Sequence, residues 1–465
     1  MKLKEECGIF GGYCFDRDIA PYIKNGLFHL QHRGQESAGI SSGEEKFKLI
    51  KGNGLVEQVL TSDKMVTLNG RFGIGHVRYS TQGDSDALHA QPFLINYLKE
   101  NVAVAHNGNV SCAIQMRQTF ERLGEVFLTN SDTETMLKRV VFGMKKKPSQ
   151  WSFEGVAQIL TKNFIEGSWS IIFQLPNRVL AYRDPFGYRP LMFCDAEEGY
   201  FVASEDCAFS ILNVKKIIEI QPGFGVEITE DNYEIKQYTE SVKEQKCVFE
   251  HIYFAKPVSN IFGRNVYLSR VEMGKKLAKE SYIDADMVIP VMDSGLPAAI
   301  GYSQESGISL QLGLLRNHYV GRSFISPSQL SRIARVREKL APNKTILQGK
   351  KVIIVDDSIV RGTTSREIVR MLKEAGAKEV HFRVASPMIV NTCSWGVDIS
   401  SQEELIANIS SSKEEIAKFL DADSVEYLSF KGLTDIFDES SWCYYCFIKS
   451  KKENECIAIK EPALM

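Results

Sequence analysis

Three groups of residues have the types and spacing that chemistry needs. The first is Lys351-Val-Ile-Ile-Val-Asp-Asp-Ser-Ile-Val-Arg-Gly-Thr-Thr-Ser365. An apolar run ends in two carboxylates, Asp356 and Asp357, and a small polar loop follows: Arg361, Gly362, Thr363, Thr364 and Ser365. A helix is then predicted, with Ile368, Val369, Leu372 and Ala375 on its apolar face and a capping box of Thr364 with Glu367. Outward N–H groups and the positive end of a helix dipole attract anions, and the hydroxyls add donors. The paired acids cannot bind phosphate. They suit ribose hydroxyls and a Mg²⁺ held partly by substrate. No Lys-Ser/Thr follows Gly362, so this is not a nucleotide P-loop. A bare acid pair also fits a plain strand–turn–helix with solvated carboxylates.

Val288-Ile-Pro-Val-Met-Asp-Ser-Gly295 is a second strand running into a polar turn. Asp293 and Ser294 could help hold diphosphate and metal, or form an ordinary turn. Between these loops, Arg316–Leu340 carries Arg316, Arg322, Arg332, Arg335, Arg337 and Lys339 against Glu338. That excess suits either a solvated face or a mobile lid closing over a diphosphate leaving group.

The second group starts at Cys7-Gly-Ile-Phe-Gly11. A lone cysteine is normally a small buried hydrophobe. In the same half lie Leu30-Gln-His-Arg-Gly-Gln-Glu-Ser-Ala-Gly39, Gly75-His-Val-Arg-Tyr-Ser-Thr81, His106-Asn-Gly108 and Ser131-Asp-Thr-Glu134. Asn107-Gly108 by itself is also a hairpin-turn signal. If Met1–Glu6 is removed, Cys7 gains a free α-amine beside its sulfur. Such an amine titrates at roughly 7.7–8 and can serve as the base for attack on an amide. The third group is Cys443-Tyr-Tyr-Cys446 with Cys247 and Cys393, whose spacing fits zinc, an iron–sulfur cluster or no metal.

These residues need elements to hold them. In the first half, Phe47–Ile50, Phe72–Thr81, Val102–His106, Trp169–Gln174, Val179–Arg183 and Tyr200–Ser204 read as strands, and Ala20–Gln31 and Asp132–Val141 as helices. That mixture predicts an α+β layered domain. The chain turns polar around Glu230–Lys246, where a boundary is expected. Beyond it, helix Val266–Glu280, strand Met287–Val291, strand Lys351–Val355, helix Ser365–Ala375 and strand Val380–Ala385 alternate. Such alternation predicts a parallel sheet with crossover helices. Glu403–Phe437 reads as two short helices before a cysteine-bearing tail.

The 465 residues suit two to four domains, and the net charge of -2 gives no general attraction to nucleic acid or anionic membrane. No apolar run reaches the roughly 18 residues needed to span a bilayer, and Met1–Glu6 has no signal-peptide core. A cytoplasmic protein is expected. Its ten cysteines are then unlike a disulfide framework. Cys14, Cys112, Cys194, Cys207 and Cys456 have no special context.

The segments around Cys7, Arg78, Asn107 and Asp132 together resemble the N-terminal-nucleophile (Ntn) glutaminase domain of glutamine amidotransferases. Val352–Ser365 resembles the signature of type I phosphoribosyltransferases. In this order the two halves resemble the amidophosphoribosyltransferase family, and the contexts of Cys247, Cys393, Cys443 and Cys446 resemble its [4Fe–4S] branch. The resemblance implies a four-layer α-β-β-α Ntn domain over 7–240, after a propeptide 1–6, then a parallel-sheet phosphoribosyltransferase domain over 247–465. It implies Cys7 as nucleophile and Asn107 with the N–H of Gly108 as oxyanion hole. Arg78 would take the carboxylate of L-glutamine and Asp132 its ammonium. Arg183-Asp-Pro-Phe-Gly187 and Val202-Ala-Ser-Glu205 also match, as scaffold. Asp356, Asp357, Arg361, Gly362, Thr363, Thr364, Ser365, Arg337 and Lys339 would bind 5-phosphoribosyl 1-diphosphate. Ser294, Asp356 and Asp357 would hold Mg²⁺, and the four cysteines the cluster.

The implied reaction makes 5-phosphoribosylamine, glutamate and diphosphate at the start of purine synthesis. Homotetramers and inhibition by purine nucleotides are family properties. Met292 stands where Pro is usual, and Arg316 and His318 where Lys and Arg are usual. Those departures bear on affinity and inhibition, not on reaction type. Two rivals are the same chemistry in a specialised nucleoside pathway and a non-catalytic sensor of phosphoribosyl diphosphate. A sensor has no need of Cys7, Arg78, Asn107 and Asp132 together, and no basic helix-turn-helix extension is present.

Overall fold

The computed structural model describes residues 5–80, 87–161, 167–240, 242–317, 336–393, 395–397, 401–410 and 412–449. Met1–Lys4, Arg322, Arg332, Arg335, His318 and Cys456 therefore lie outside the described residues.

Strands of the first half are β1 (Glu5–Cys14), β2 (Ser37–Ser42), β3 (Lys48–Asn53), β4 (Phe72–Ser80), β5 (Phe93–Tyr97), β6 (Glu100–Val110), β7 (Gly167–Leu175), β8 (Arg178–Arg183), β9 (Met192–Ala196), β10 (Gly199–Ala203), β11 (Val214–Glu219), β12 (Phe224–Ile228) and β13 (Tyr233–Gln237). They form two antiparallel sheets, ordered β11-β9-β10-β1-β4-β2-β3 and β13-β12-β8-β7-β6-β5. Side chains alternate across a strand, so each sheet has two faces to bury. Ile9, Ile74, Ala105, Ile172 and Val202 meet in the core between the sheets. Phe10, Val77 and Phe201 point the other way, onto helix Ala20–His29. Val104, Ile171 and Phe173 pack outward on helices Ala113–Arg122, Asp132–Met144 and Phe153–Thr161. The result is the α-β-β-α layering that the resemblance implied. The polar stretch Glu230–Lys246 begins inside it, because β13 is an edge strand, where charged side chains are tolerated.

The second half adds β14 (Lys246–Cys247), β15 (Asn260–Ile261), β16 (Arg264–Asn265), β17 (Met287–Pro290), β18 (Leu314–Arg316), β19 (Leu340–Pro342), β20 (Lys351–Asp356), β21 (Glu379–Val384), β22 (Ser424–Tyr427) and β23 (Trp442–Cys443). A wholly parallel sheet runs β17-β20-β21-β22. Ile353 and Val355 face helices Val266–Glu280 and Leu296–Ser306, while Val352 and Ile354 face helices Thr363–Glu374 and Lys413–Leu420. Both faces are covered, which is why β20 reads as a continuous apolar run.

Two local expectations fail. Glu403–Phe437 is not just two short helices: β22 lies between helices Lys413–Leu420 and Phe430–Thr434 as the sheet's fourth strand. Its alternation, with Val425 and Tyr427 buried, spans only four residues. Helix Thr363–Glu374 starts at Gly362 with no side-chain cap, and Glu367 pairs with Arg337 instead of closing a capping box with Thr364.

Buried charges join the halves. Arg33 binds Glu205 of the first half and Glu250 of the second, and Arg189 Nη1 donates to Glu250 at 3.0 Å. Burial alone would favour neutral Arg33, but Glu250 and Glu205 outweigh it and raise its pKa. Removing one partner from such a network leaves an uncompensated charge, at a cost of about 3–5 kcal/mol.

Candidate active sites

Strand register assembles the first site. Cys7 is fully buried and lies opposite Arg78 across the β1–β4 ladder. Cys7 shares parity with Ile9, Arg78 with Ile74, and Asn107 with Ala105, so all three face the gap between the sheets. Ser204 closes the group. Its hydroxyl oxygen accepts from the N–H of Ile9 at 3.0 Å and from Asn107 Nδ2 at 3.3 Å, tying the cysteine strand to the neighbouring sheet. Sequence reading took Ser204 for scaffold. Its local motif could not say which two strands it joins.

Asn107-Gly108 is no hairpin turn, because both lie within β6. Gly108 has φ 141°, and a Cβ there would stand 2.0 Å from the Ser168 carbonyl oxygen, so only glycine fits. His76 contacts the His106 carbonyl oxygen through Nε2 at 3.0 Å. Burial, followed by the charge of Arg78, pushes His76 down to about 3, so it stays neutral. The Leu30–Gly39 motif folds over this strand: Glu36 N–H donates to the Arg78 carbonyl at 3.0 Å.

Asp132 starts helix Asp132–Met144, where a carboxylate complements the helix dipole. Its Oδ2 accepts from Val110 N–H at 3.0 Å, which holds it at the end of β6. Burial would raise its pKa. His106, the Val110 N–H and the Thr133 hydroxyl outweigh this and hold it below the usual carboxylate range.

The second site sits at the carboxyl ends of β17 and β20, where open parallel sheets present ligands. Asp356 and Asp357 are both buried, and Asp357 N–H donates to Asp356 Oδ1 at 2.9 Å. Burial and then the Asp357 charge hold Asp356 well above the usual carboxylate range. Asp293-Ser294-Gly295 follows the neighbouring strand, and Val291 N–H bonds the Val355 carbonyl at 2.9 Å. The two loops are therefore adjacent, as the sequence suggested. Gly362, Thr363, Thr364 and Ser365 form the start of the following helix.

The cations divide differently. Arg316 pairs with Asp293 and so belongs to the site. Arg337 pairs with Glu367 at 2.5 Å and Glu374 at 3.0 Å on the flank of the helix, away from its start. Arg361 pairs with Glu404 at 3.0 Å. Lys339 closes the base of the β18–β19 ribbon through its carbonyl, which accepts from Asn317 N–H at 2.7 Å. Sequence reading missed Arg270. It is buried, donates to the His251 and Ala255 carbonyls at 2.8 Å each, and feels the Asp357 charge.

The four special cysteines converge. Cys247 and Cys443 are partners in a parallel β14–β23 pairing. The Cys446 carbonyl accepts from Val390 N–H at 2.8 Å, just before Cys393. Burial pushes Cys247 up to about 12, with Arg189 opposing and Cys393 adding. Cys443 and Cys446 are also raised, first by burial and then by the other thiols. Among the described residues, no three His, Cys, Asp or Glu side chains form a metal-ion coordination group. None of the described cysteines forms a disulfide. No described helix is long and apolar enough to cross a membrane.

Comparison with known proteins agrees with this division. A glutamine amidotransferase domain family matches residues 76–210, and a phosphoribosyl transferase domain family matches residues 271–387. The chloroplastic amidophosphoribosyltransferase 1 of Arabidopsis thaliana is 44% identical over 96% of this chain and 78% of its own length. The amidophosphoribosyltransferase of Methanocaldococcus jannaschii is 40% identical over 95% of this chain and 96% of its own. The solved glutamine phosphoribosylpyrophosphate amidotransferase of B. subtilis, complexed with ADP and GMP, superposes with a TM-score of 0.85 at 38% identity, covering 96% of this chain and 97% of that one. With a glutamine amidotransferase domain and a phosphoribosyl transferase domain in one chain, and relatives of this identity along nearly all of it, the protein belongs to the amidophosphoribosyltransferases, the glutamine-dependent pentosyltransferases of the first step of purine biosynthesis.

Proposed function

We propose that Cys7, freed of Met1–Glu6, is the nucleophile that takes ammonia from glutamine, and that Asp356–Ser365 binds the phosphoribosyl diphosphate that consumes it. The observation that carries this reading is the shared facing of Cys7, Arg78 and Asn107, with Ser204 tying the strand of Cys7 to Asn107. The α-amine of Cys7 takes the thiol proton as sulfur attacks the carboxamide carbon, and returns it to the departing ammonia. Asn107 Nδ2 and the N–H of Gly108 stabilise the oxyanion. Arg78 pairs with the glutamine carboxylate and Asp132 with its ammonium. Water then releases glutamate from the thioester.

Ammonia passes inside the protein, since in bulk water it would be protonated. It attacks C1 of the ribose, the bond to diphosphate breaks, and 5-phosphoribosylamine forms through an oxocarbenium-like state. Asp356 and Asp357 suit the ribose hydroxyls. The loop Arg361–Ser365 suits the 5-phosphate. Ser294 with Asp356 and Asp357 offers the hard oxygen donors that Mg²⁺ prefers. Mg²⁺ bound there with substrate would neutralise the departing diphosphate. Arg337 reaches diphosphate only by giving up Glu367 and Glu374.

Cys247, Cys393, Cys443 and Cys446 suit a [4Fe–4S] cluster. Their thiols lie close enough to raise one another's pKa, and soft sulfur donors of this kind suit an iron–sulfur core, as in the branch whose cysteine contexts they resemble. Such a cluster would tie the start of the second domain to its tail. We extend to this chain a homotetrameric assembly, a cytoplasmic location and inhibition by purine nucleotides. The last is supported by the ADP and GMP in the solved relative.

The test is glutamate release from the intact enzyme with and without phosphoribosyl diphosphate, alongside intact-mass analysis. Stimulation by that substrate and a mature start at Cys7 are expected. Active enzyme retaining Met1–Glu6 would refute the α-amine as base.

A further inference from the structure

One contact joins the second domain to the proposed oxyanion hole. The turn Trp395-Gly396-Val397 follows Cys393 and lies against β6 and β7. Ser168 Oγ, on the β7 residue opposite Asn109, donates to the Trp395 carbonyl. Arg189 Nη2 donates to the same oxygen at 3.1 Å. The Trp395 ring stacks on Tyr188, with centroids 5.1 Å apart and an interplanar angle of 15°. Gly396 has φ 91°, and a Cβ added there would lie 3.1 Å from the Gly108 carbonyl carbon and 3.2 Å from the Asn109 nitrogen. It would also lie 3.0 Å from Arg189 Nη2.

We infer that the Trp395–Val397 turn is a positioning element for the glutaminase, a buttress from the phosphoribosyl domain that fixes the Gly108–Asn109 backbone and hence the oxyanion hole. This rests on the reading of Asn107 and Gly108 as oxyanion donors. The turn touches no substrate. It acts by setting where the donors stand. An oxyanion donor works only within about 2.7–3.1 Å of the developing charge. A shift of a few tenths of an ångström in this segment is therefore felt in the transition state and little in glutamine binding. The hydrogen bonds to the Trp395 carbonyl and the stack on Tyr188 hold the turn, and the lack of a side chain at Gly396 lets it lie against the Gly108 peptide. Gly396→Ala pushes directly on the Gly108 peptide. Ser168→Ala weakens the tether from the other side without adding an atom.

The experiment measures kcat and KM for glutamine hydrolysis, together with ammonia-dependent phosphoribosylamine synthesis, in holoenzyme carrying Gly396→Ala, Ser168→Ala or Asn107→Ala. The expected result for Gly396→Ala is a kcat for glutamine lowered about tenfold or more, with KM and ammonia-dependent synthesis unchanged. Ser168→Ala should lower the same kcat by about threefold, the size of one neutral hydrogen bond. An unchanged kcat in Gly396→Ala, or equal loss of both activities, would overturn the inference by making the turn a spacer or a general structural contact. Should Gly396→Ala not fold, Ser168→Ala decides by the same split. Retention of full kcat in Asn107→Ala would instead bring down the oxyanion reading itself, and this inference with it.

Discussion

The two sites are built on opposite principles. Around Cys7 the groups are buried and positioned by strand register before any ligand arrives. Asp132 is held ionised by His106, the Val110 N–H and the Thr133 hydroxyl, and His76 stays neutral. Around Asp356 two carboxylates stand together, one of them raised in pKa, while Arg337 is held on a helix flank. Polarising an amide needs fixed donors, because preorganised dipoles cost no rearrangement in the transition state. Expelling diphosphate needs charge that arrives with metal and substrate. One half is finished by folding and the other is completed by binding.

Selective damage sharpens that contrast. The largest effect is expected from Cys7→Ala, which should lower glutamine-dependent synthesis by about 10⁴-fold or more and leave ammonia-dependent synthesis intact. Parallel assays with the two nitrogen sources measure it. If both rates fall together, the sites are not separable. Next is Arg33→Met, which takes away the guanidinium that Glu205 and Glu250 share and leaves them with His32 and Arg189. Denaturant unfolding should show a loss of about 3–5 kcal/mol. A change below about 1 kcal/mol would mean that water reaches the network.

Asp357→Asn should mirror the cysteine variant. Synthesis from either nitrogen source falls by about 10²–10³-fold, while basal glutamate release persists. Loss of glutamate release as well would contradict two independently built sites. The smallest effect concerns acid. Folded His76 stays neutral to about pH 3, whereas an unfolded histidine protonates below about 6.5. The unfolded state then binds more protons, so stability falls as pH drops from about 6.5 towards 3. Between pH 7 and 5 this one group should cost about 2 kcal/mol. Unfolding of His76→Asn, which keeps a donor but does not titrate, should show a correspondingly smaller loss. An identical pH profile would remove His76 from the account.

What the sequence made legible follows the same division. Strand β20 and its loop are contiguous, so the acids, the loop and the helix could be read as one local unit. The strand carrying Arg78 was visible by composition, but that carrying Cys7 was not, and the one leading to Asn107 was expected to stop at His106 although it runs on to Val110. Contacts between distant segments were not visible either. Ser204 bonding both Ile9 and Asn107, Arg33 meeting Glu250, and Gly396 against Gly108 leave no periodic or compositional trace. Strand β22 was missed because four residues are too short to establish a period, and its partner β21 lies far back in the chain. The capping box failed because the helix starts earlier than expected, with Gly362 as its N-cap and Thr364 already inside it, which leaves Glu367 to Arg337. Arg270 was passed over because a cation on an ordinary helix looks solvated until the segment His251–Ala255 covers it.

The central claim is that nitrogen released at Cys7 reaches the ribose without leaving the protein. It is tested most directly by turnover of amide-¹⁵N-glutamine with unlabelled ammonium held above the nitrogen released but below the level that supports synthesis by itself, followed by isotope analysis of the phosphoribosylamine formed. Product carrying the glutamine label undiluted is expected. Product whose label matches the bulk ammonium pool would contradict the account.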